Sequence, residues 1–250
     1  THHDDTHAVD LHHASEADHH DAAPSHDNHE AHADESAHHS DAHTKHVEHV
    51  QHQIANRPWA ALYVAAFFFM MIALGVLAFY AIQFAAQAGW SPLLFRVMEG
   101  ITSYIIPGGI ILFAFFVLSG LHMNHLFVWM DADVVAHDQL IQNKSGYLNT
   151  PFFLVRAAIY IGGWIAYRQY SRKLSLAEET ASDNKPFVTN FKLAAGFLAF
   201  FLVSESMMSW DWIMSVDPHW FSTLFGWYVF ASFFVSGITV IALFTLYLKS

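Results

Sequence analysis

Between Arg57 and Arg96 the chain carries no charged residue, and from Trp59 to about Ala86 it is apolar almost throughout. A run of that length can cross a hydrocarbon layer about 30 Å thick even when tilted. Four further apolar runs follow. Residues 101–121 are preceded by Glu99 and interrupted by Pro107-Gly108-Gly109, and residues 151–167, the shortest run, contain Arg156. Residues 193–214 hold Glu205 and Asp211, whereas 221–248 hold no charge. The runs are continuous rather than alternating, and a spanning helix satisfies its own backbone, which favours helices over barrel strands. The predicted fold class is therefore an all-α integral membrane protein, a transmembrane bundle of about five helices over residues 54–250. The 54% hydrophobic content, with 23 Phe and 8 Trp, is too apolar for an ordinary soluble domain.

Residues 1–53 obey a different rule. They contain sixteen of the 20 His and twelve acids against one base, Lys45, an imbalance that equals the net charge of −11. With almost no large apolar side chain, this low-complexity tract is expected to be disordered or pinned on a partner. Metal buffering by its imidazoles is one reading; the irregular spacings, which match no closed site, favour a solvated linker. From Ile54 onward ten acids meet ten bases, so nothing points to nucleic acid. Cysteine is absent, which excludes disulfides, thiolate-held iron–sulfur clusters and C-x-x-C-H haem attachment within this chain. The start without Met and the stop at Lys249-Ser250 directly after an apolar run read as part of a longer polypeptide.

Lys and Arg in short loops set the expected orientation. Arg168, Arg172, Lys173, Lys185 and Lys192 lie between the third and fourth runs, and no base lies between the fourth and fifth. Placing that basic loop in the cytoplasm puts Arg96 and Lys249 there too, and leaves Arg57, Lys144 and the His-rich tract outside.

A carboxylate in hydrocarbon is expensive, so interior acids usually face a bundle interior and often serve ion or proton movement. Counted from Leu193, Glu205 lies about 18 Å along its helix, near the midplane, and Asp211 about 9 Å further out, some 120° away around the axis. Ser209 and Ser204 supply hydroxyls on the two rows. Arg156, about 8 Å into the third helix, is the expected partner of Asp211 or Glu205, either for stability alone or within a proton or quinone path. Glu99 is expected near a helix N-terminus, where it is favoured, or at the inner mouth of a stepped path.

At the other end His122, His125 and Trp129 share a stripe if the second helix continues past Leu121, and Asp131, Asp133, Asp217 and His219 fall in the outer loops. His and Asp suit quinol deprotonation or proton exit, and interfacial His and Trp are also ordinary at membrane boundaries. Haem b ligation by His122 and His219 is geometrically conceivable. No second such pair occurs, which disfavours haem, and no metal site is assigned. Gly108-Gly109 and Gly162-Gly163 read as close helix contacts or kinks.

The runs NRPWAALYVAAFFFM (56–70), GWSPLLFRVMEGITSYIIPGG (89–109), NHLFVWMD (124–131), KSGYLNTPFFLVR (144–156) and SESMMSWDWIMSVDPHWFSTLFGWYVFASFF (204–234) carry a resemblance. Together they resemble the F subunit of bacterial alternative complex III, a membrane protein of the NrfD and polysulfide-reductase anchor family, over essentially residues 54–250. The resemblance implies a quinol:cytochrome c oxidoreductase of the bacterial inner membrane, oxidising menaquinol or another quinol. It implies partners: an iron–sulfur protein, a multihaem c-type cytochrome and a paralogous NrfD-like subunit, which is the better candidate for quinol oxidation. This chain would contribute a proton path or a quinone site without a redox centre of its own. The family has about ten helices, so a first helix and a C-terminal portion would be missing here, and residues 1–53 would be an extracytoplasmic, periplasmic loop. A scaffold or anchor that moves no proton is the rival reading, and a stand-alone transporter a third.

Overall fold

A computed structural model describes residues 31–249, with side chains from Ile54 onward except Ala55. Helix α1 spans Ala31–Ala85, α2 Pro92–Thr102, α3 Ile105–Gly120, α4 Ala132–His137, α5 Gln139–Lys144, α6 Thr150–Glu178, α7 Lys185–Met208 and α8 Phe225–Lys249. No strand occurs among the described residues, and the chain is an all-helical bundle. Among the described residues, four stretches are long and apolar enough to cross a membrane: Asn56–Ala85, Pro92–Gly120, Lys185–Val216 and Phe225–Lys249.

The chain divides into Thr1–His49 and Val50–Ser250. In the first unit the backbone is helical from Ala31. Residues 31–57 contain neither Gly nor Pro, and nothing in them breaks a helix. The expectations for residues 1–30 and for the imidazoles of the tract fall outside the described residues and side chains.

In the second unit the helices alternate in direction. One end, here the basic end, gathers Ala85, Pro92, Glu178 and Lys185; the other, the loop end, holds residues 121–149 and 217–224. The expected span boundaries shift for local reasons. Pro92 stands in the first turn of α2, where its missing N–H costs nothing, so the second span starts well before Ile101. That span breaks at Ser103–Tyr104 and not at Gly108-Gly109, because Pro107 has no N–H to offer the Ser103 carbonyl and sits in the first turn of α3. Asn149 caps α6 through the Phe152 N–H at 3.0 Å, and α7, with Pro186 in its first turn, opens at Lys185, eight residues before Leu193. Residues 221–224 lie before α8, which begins at Phe225. α6 runs eleven residues past Tyr167 and is not among the four apolar spans, although it packs against α3 and α7.

Small residues set the closest helix approaches. A Cβ on Gly75 of α1 would stand 2.3 Å from the Phe233 carbonyl oxygen of α8, and one on Gly237 would stand 2.9 Å from the Val76 nitrogen. Gly109 meets Ile161 of α6 and Gly163 meets Phe200 of α7, as expected of close contacts. Gly108 faces Tyr104 of its own helix turn, and Gly162 faces open space. Around Phe116 the core is aromatic: Phe153 and Trp212 lie 5.1 Å away, and Trp164 packs edge-on to Trp212 at 5.7 Å.

Candidate functional site

On α6 the buried residues Phe153, Arg156, Tyr160, Trp164, Tyr167 and Ser171 recur every three or four positions, a single stripe facing α7 and the core. From that stripe Arg156 reaches Asp211 in a two-pronged bond, Nε to Oδ2 at 2.8 Å and Nη2 to Oδ1 at 2.9 Å, with both side chains buried. Tyr160 donates to Oδ2 at 3.2 Å. Arg156 Nη1 donates to the Tyr147 carbonyl at 3.1 Å, and the guanidinium lies over the Tyr147 and Phe152 rings at 3.9 and 4.2 Å. Every oxygen of the Asp211 carboxylate therefore has a donor.

Asp211 sits in a π-helical turn, Ser209–Ile213, that follows α7 and leads into a 3₁₀ turn, Met214–Val216. The wider turn rotates the chain away from the 100° step on which the sequence-based angle between Glu205 and Asp211 relied. It is anchored from outside by Tyr63, whose hydroxyl donates to the Trp212 carbonyl at 2.6 Å, and from inside by Ser215, which donates to the Asp211 carbonyl. The expected hydroxyl partners differ: Ser209 donates to the Ser206 carbonyl, and Ser204 accepts from Trp164 Nε1 at 3.1 Å.

Glu205 stays apart from this pair. It is 3% exposed; Oε2 receives only a long bond from Ser206 at 3.4 Å, and Oε1 has no hydrogen-bond partner. Because α7 starts at Lys185, Glu205 lies twenty residues into its helix, about 30 Å along the axis, not the 18 Å expected from Leu193. Within Lys185–Val216 that is about 7 Å beyond the middle, toward the loop end.

Glu99 occupies the last turn of α2, not its N-terminus, so the helix-end reading of this carboxylate does not apply. It is buried, accepts from Tyr80 at 3.1 Å and pairs with Arg96 at 2.6 Å, one turn earlier. Arg96 also bridges to Glu179 just past the end of α6. This acid closes the basic end as a paired group.

The outer stripe does not form. α3 stops at Gly120 with His122 in the left-handed region at φ 60°, His122 N–H bonded to Ser119 O and Met123 N–H to Leu118 O, a closed helix end. His122 and His125 are exposed, while Trp129 turns inward on a 3₁₀ turn. His125 Nδ1 lies 3.5 Å from Asp131 Oδ2. His219 Nε2 lies 2.7 Å from Asp138, which occupies the nitrogen that an axial haem ligand would use, and Nδ1 lies 3.7 Å from Asp217. Asp138, Tyr160 and Tyr80 escaped sequence reasoning; Tyr160 stands at i+4 from Arg156, a spacing that could have found it.

Asp138 caps α5 through the N–H groups of Leu140 and Ile141. Desolvation raises its pKa, and the two N–H bonds with His219 outweigh it, so the carboxyl titrates below its usual value. A depressed acid contributes stability above its unfolded pKa that is lost as pH falls through the folded one. The tie between residues 217–220 and α5 should loosen below about pH 4. Asp138→Asn keeps a good cap but removes the charge. Hydrogen exchange in 217–220, corrected for intrinsic rates, should then no longer increase on acidification from pH 5 to 3.

These features define a class: a helical membrane protein whose described interior holds a bidentate Arg–Asp ion pair and a buried carboxyl with one unpartnered oxygen. No protein-family model matches the chain, and no curated protein matches it.

Proposed function

We propose that this chain is a membrane subunit of a respiratory quinol:acceptor oxidoreductase, similar to the F subunit of alternative complex III, and that Glu205 is its proton-handling group. Glu205 carries this reading: a buried carboxyl whose Oε1 lacks a partner is costly to keep unless something protic visits it. The Arg156–Asp211 pair is assigned to structure, since both Asp211 oxygens already accept from donors within the bundle. That assignment gives the scaffold reading its foothold and leaves Glu205 as the interior step of the proton path.

In this reading the basic end faces the cytoplasm of a bacterial inner membrane, and Asp131, Asp217, His125 and His219 line the proton-exit side. Electrons stay on partner iron–sulfur and c-type haem subunits, and a quinol, where it binds here, exchanges only protons with this chain. Glu205→Gln in the intact complex, at matched assembly in liposomes, should leave quinol oxidation measurable and slow the coupled proton release about 100-fold, the lower end of a general acid–base contribution. Unchanged turnover with unchanged proton release would remove Glu205 from the path and leave the scaffold.

A further inference from the structure

The basic end of α6 carries a second buried charge that the proton path does not use. Arg168 is 6% exposed, yet it donates only two long bonds, to the Glu99 carbonyl at 3.4 Å and to Gln169 at 3.5 Å, and its Nε–H has no partner. Arg172 follows at i+4, so two like charges share one helix face, an arrangement that is unfavourable without an anion between them. Both nearby acids are already spent: Arg96 takes the carboxylates of Glu99 and Glu179. Among the described residues, Arg168 and Arg172 have no carboxylate within 4.0 Å.

Arg96, Glu99, Ser103, Arg168, Arg172 and Glu179 line a cavity of about 360 Å³. Three guanidinium groups against two carboxylates leave it positive. At the same end Trp90, Tyr170 and Leu93 are 59%, 64% and 90% exposed. Exposed Trp and Tyr at the end of apolar spans mark the headgroup level of a bilayer. Basic pockets between helices at that level suit phosphate headgroups, and the planar fork of arginine suits phosphate oxygens.

We propose that this cavity is a phosphate site that holds the headgroup phosphodiester of an anionic phospholipid, with Arg168 as its buried donor and Arg172 as its exposed clamp. The inference rests on the membrane reading alone and is independent of any proton path. A bound phosphate would take the idle Nε–H of Arg168, separate the two like charges and tie the end of α6 to α2.

The test compares the full protein, Arg172→Gln and Lys173→Gln in detergent, following the thermal unfolding midpoint against added phosphatidylglycerol, an uncharged glycolipid of the same acyl chains, or inorganic phosphate. The expected result is a rise with phosphatidylglycerol and none with glycolipid. Arg172→Gln should need about five times more lipid for the same rise, the loss of one arginine at a membrane surface, and Lys173→Gln no more than wild type. Arg172→Lys, which keeps charge but loses the fork, serves if Arg172→Gln does not assemble, and should also require more lipid than wild type. Protection by inorganic phosphate that phosphatidylglycerol does not add to would overturn the lipid assignment and leave a soluble-phosphate site. Equal protection by both lipids, no protection by any additive, or equal behaviour of the Arg172 and Lys173 variants would overturn the site itself.

Discussion

Replacing Arg156 by Leu should cost about 3–5 kcal/mol of stability, the loss expected when one partner of a buried ion pair is removed and the other keeps its charge without compensation. Asp211 would retain only the Tyr160 bond at 3.2 Å and would be buried among Phe, Trp and Tyr rings. Exchanging both partners for leucine should recover most of that loss, because well-packed apolar pairs of similar volume are often neutral relative to a buried ion pair. Unfolding in mixed detergent micelles measures both variants. A single variant within 1 kcal/mol of wild type would mean that water reaches Asp211 and the pair is not sealed.

The same substitution should have opposite signs at two glycines. At Gly75 the added methyl carbon of alanine meets the Phe233 carbonyl oxygen at 2.3 Å, and backbone cannot yield as a side-chain tip can. α1 and α8 must separate, so Gly75→Ala should destabilise by about 2–3 kcal/mol, the upper part of the overpacking range. At Gly162 nothing lies within 4 Å, and Gly162→Ala should stabilise α6 by roughly 0.5–1 kcal/mol through reduced chain entropy and better helix propensity. Thermal unfolding of the two variants side by side checks the signs; equal shifts in one direction would contradict the close α1–α8 crossing.

Much of this arrangement is readable before any coordinates. Charge-free runs announce the apolar helices, and counting depth from the loop end brings Arg156 and Asp211 to the same level, where they meet. Hydropathy loses its hold at the boundaries. Residues 185–192 are polar enough to resemble a loop, yet Pro186 starts a helix there and shifts Glu205 along its axis. The π turn at Ser209–Ile213 and the left-handed His122 are choices of backbone register that leave little trace in side-chain pattern, and they undo the Glu205–Asp211 angle and the histidine stripe. Asp138 was hidden because its partner, His219, comes from a loop far along the chain.

The pairing of Arg156 with Asp211 also constrains how the chain is built. α6 by itself does not qualify as an apolar span, whereas α7 does. Arginine or aspartate at the centre of a lone helix costs about 2.5–3.5 kcal/mol during insertion by the translocon. Only a short connection, residues 179–184, separates the two helices, so the charge on α6 meets its counter-charge as soon as α7 is synthesised. Biogenesis then treats α6 and α7 as one hairpin, and a ribosome pausing between them would expose a helix that the lipid is slow to accept.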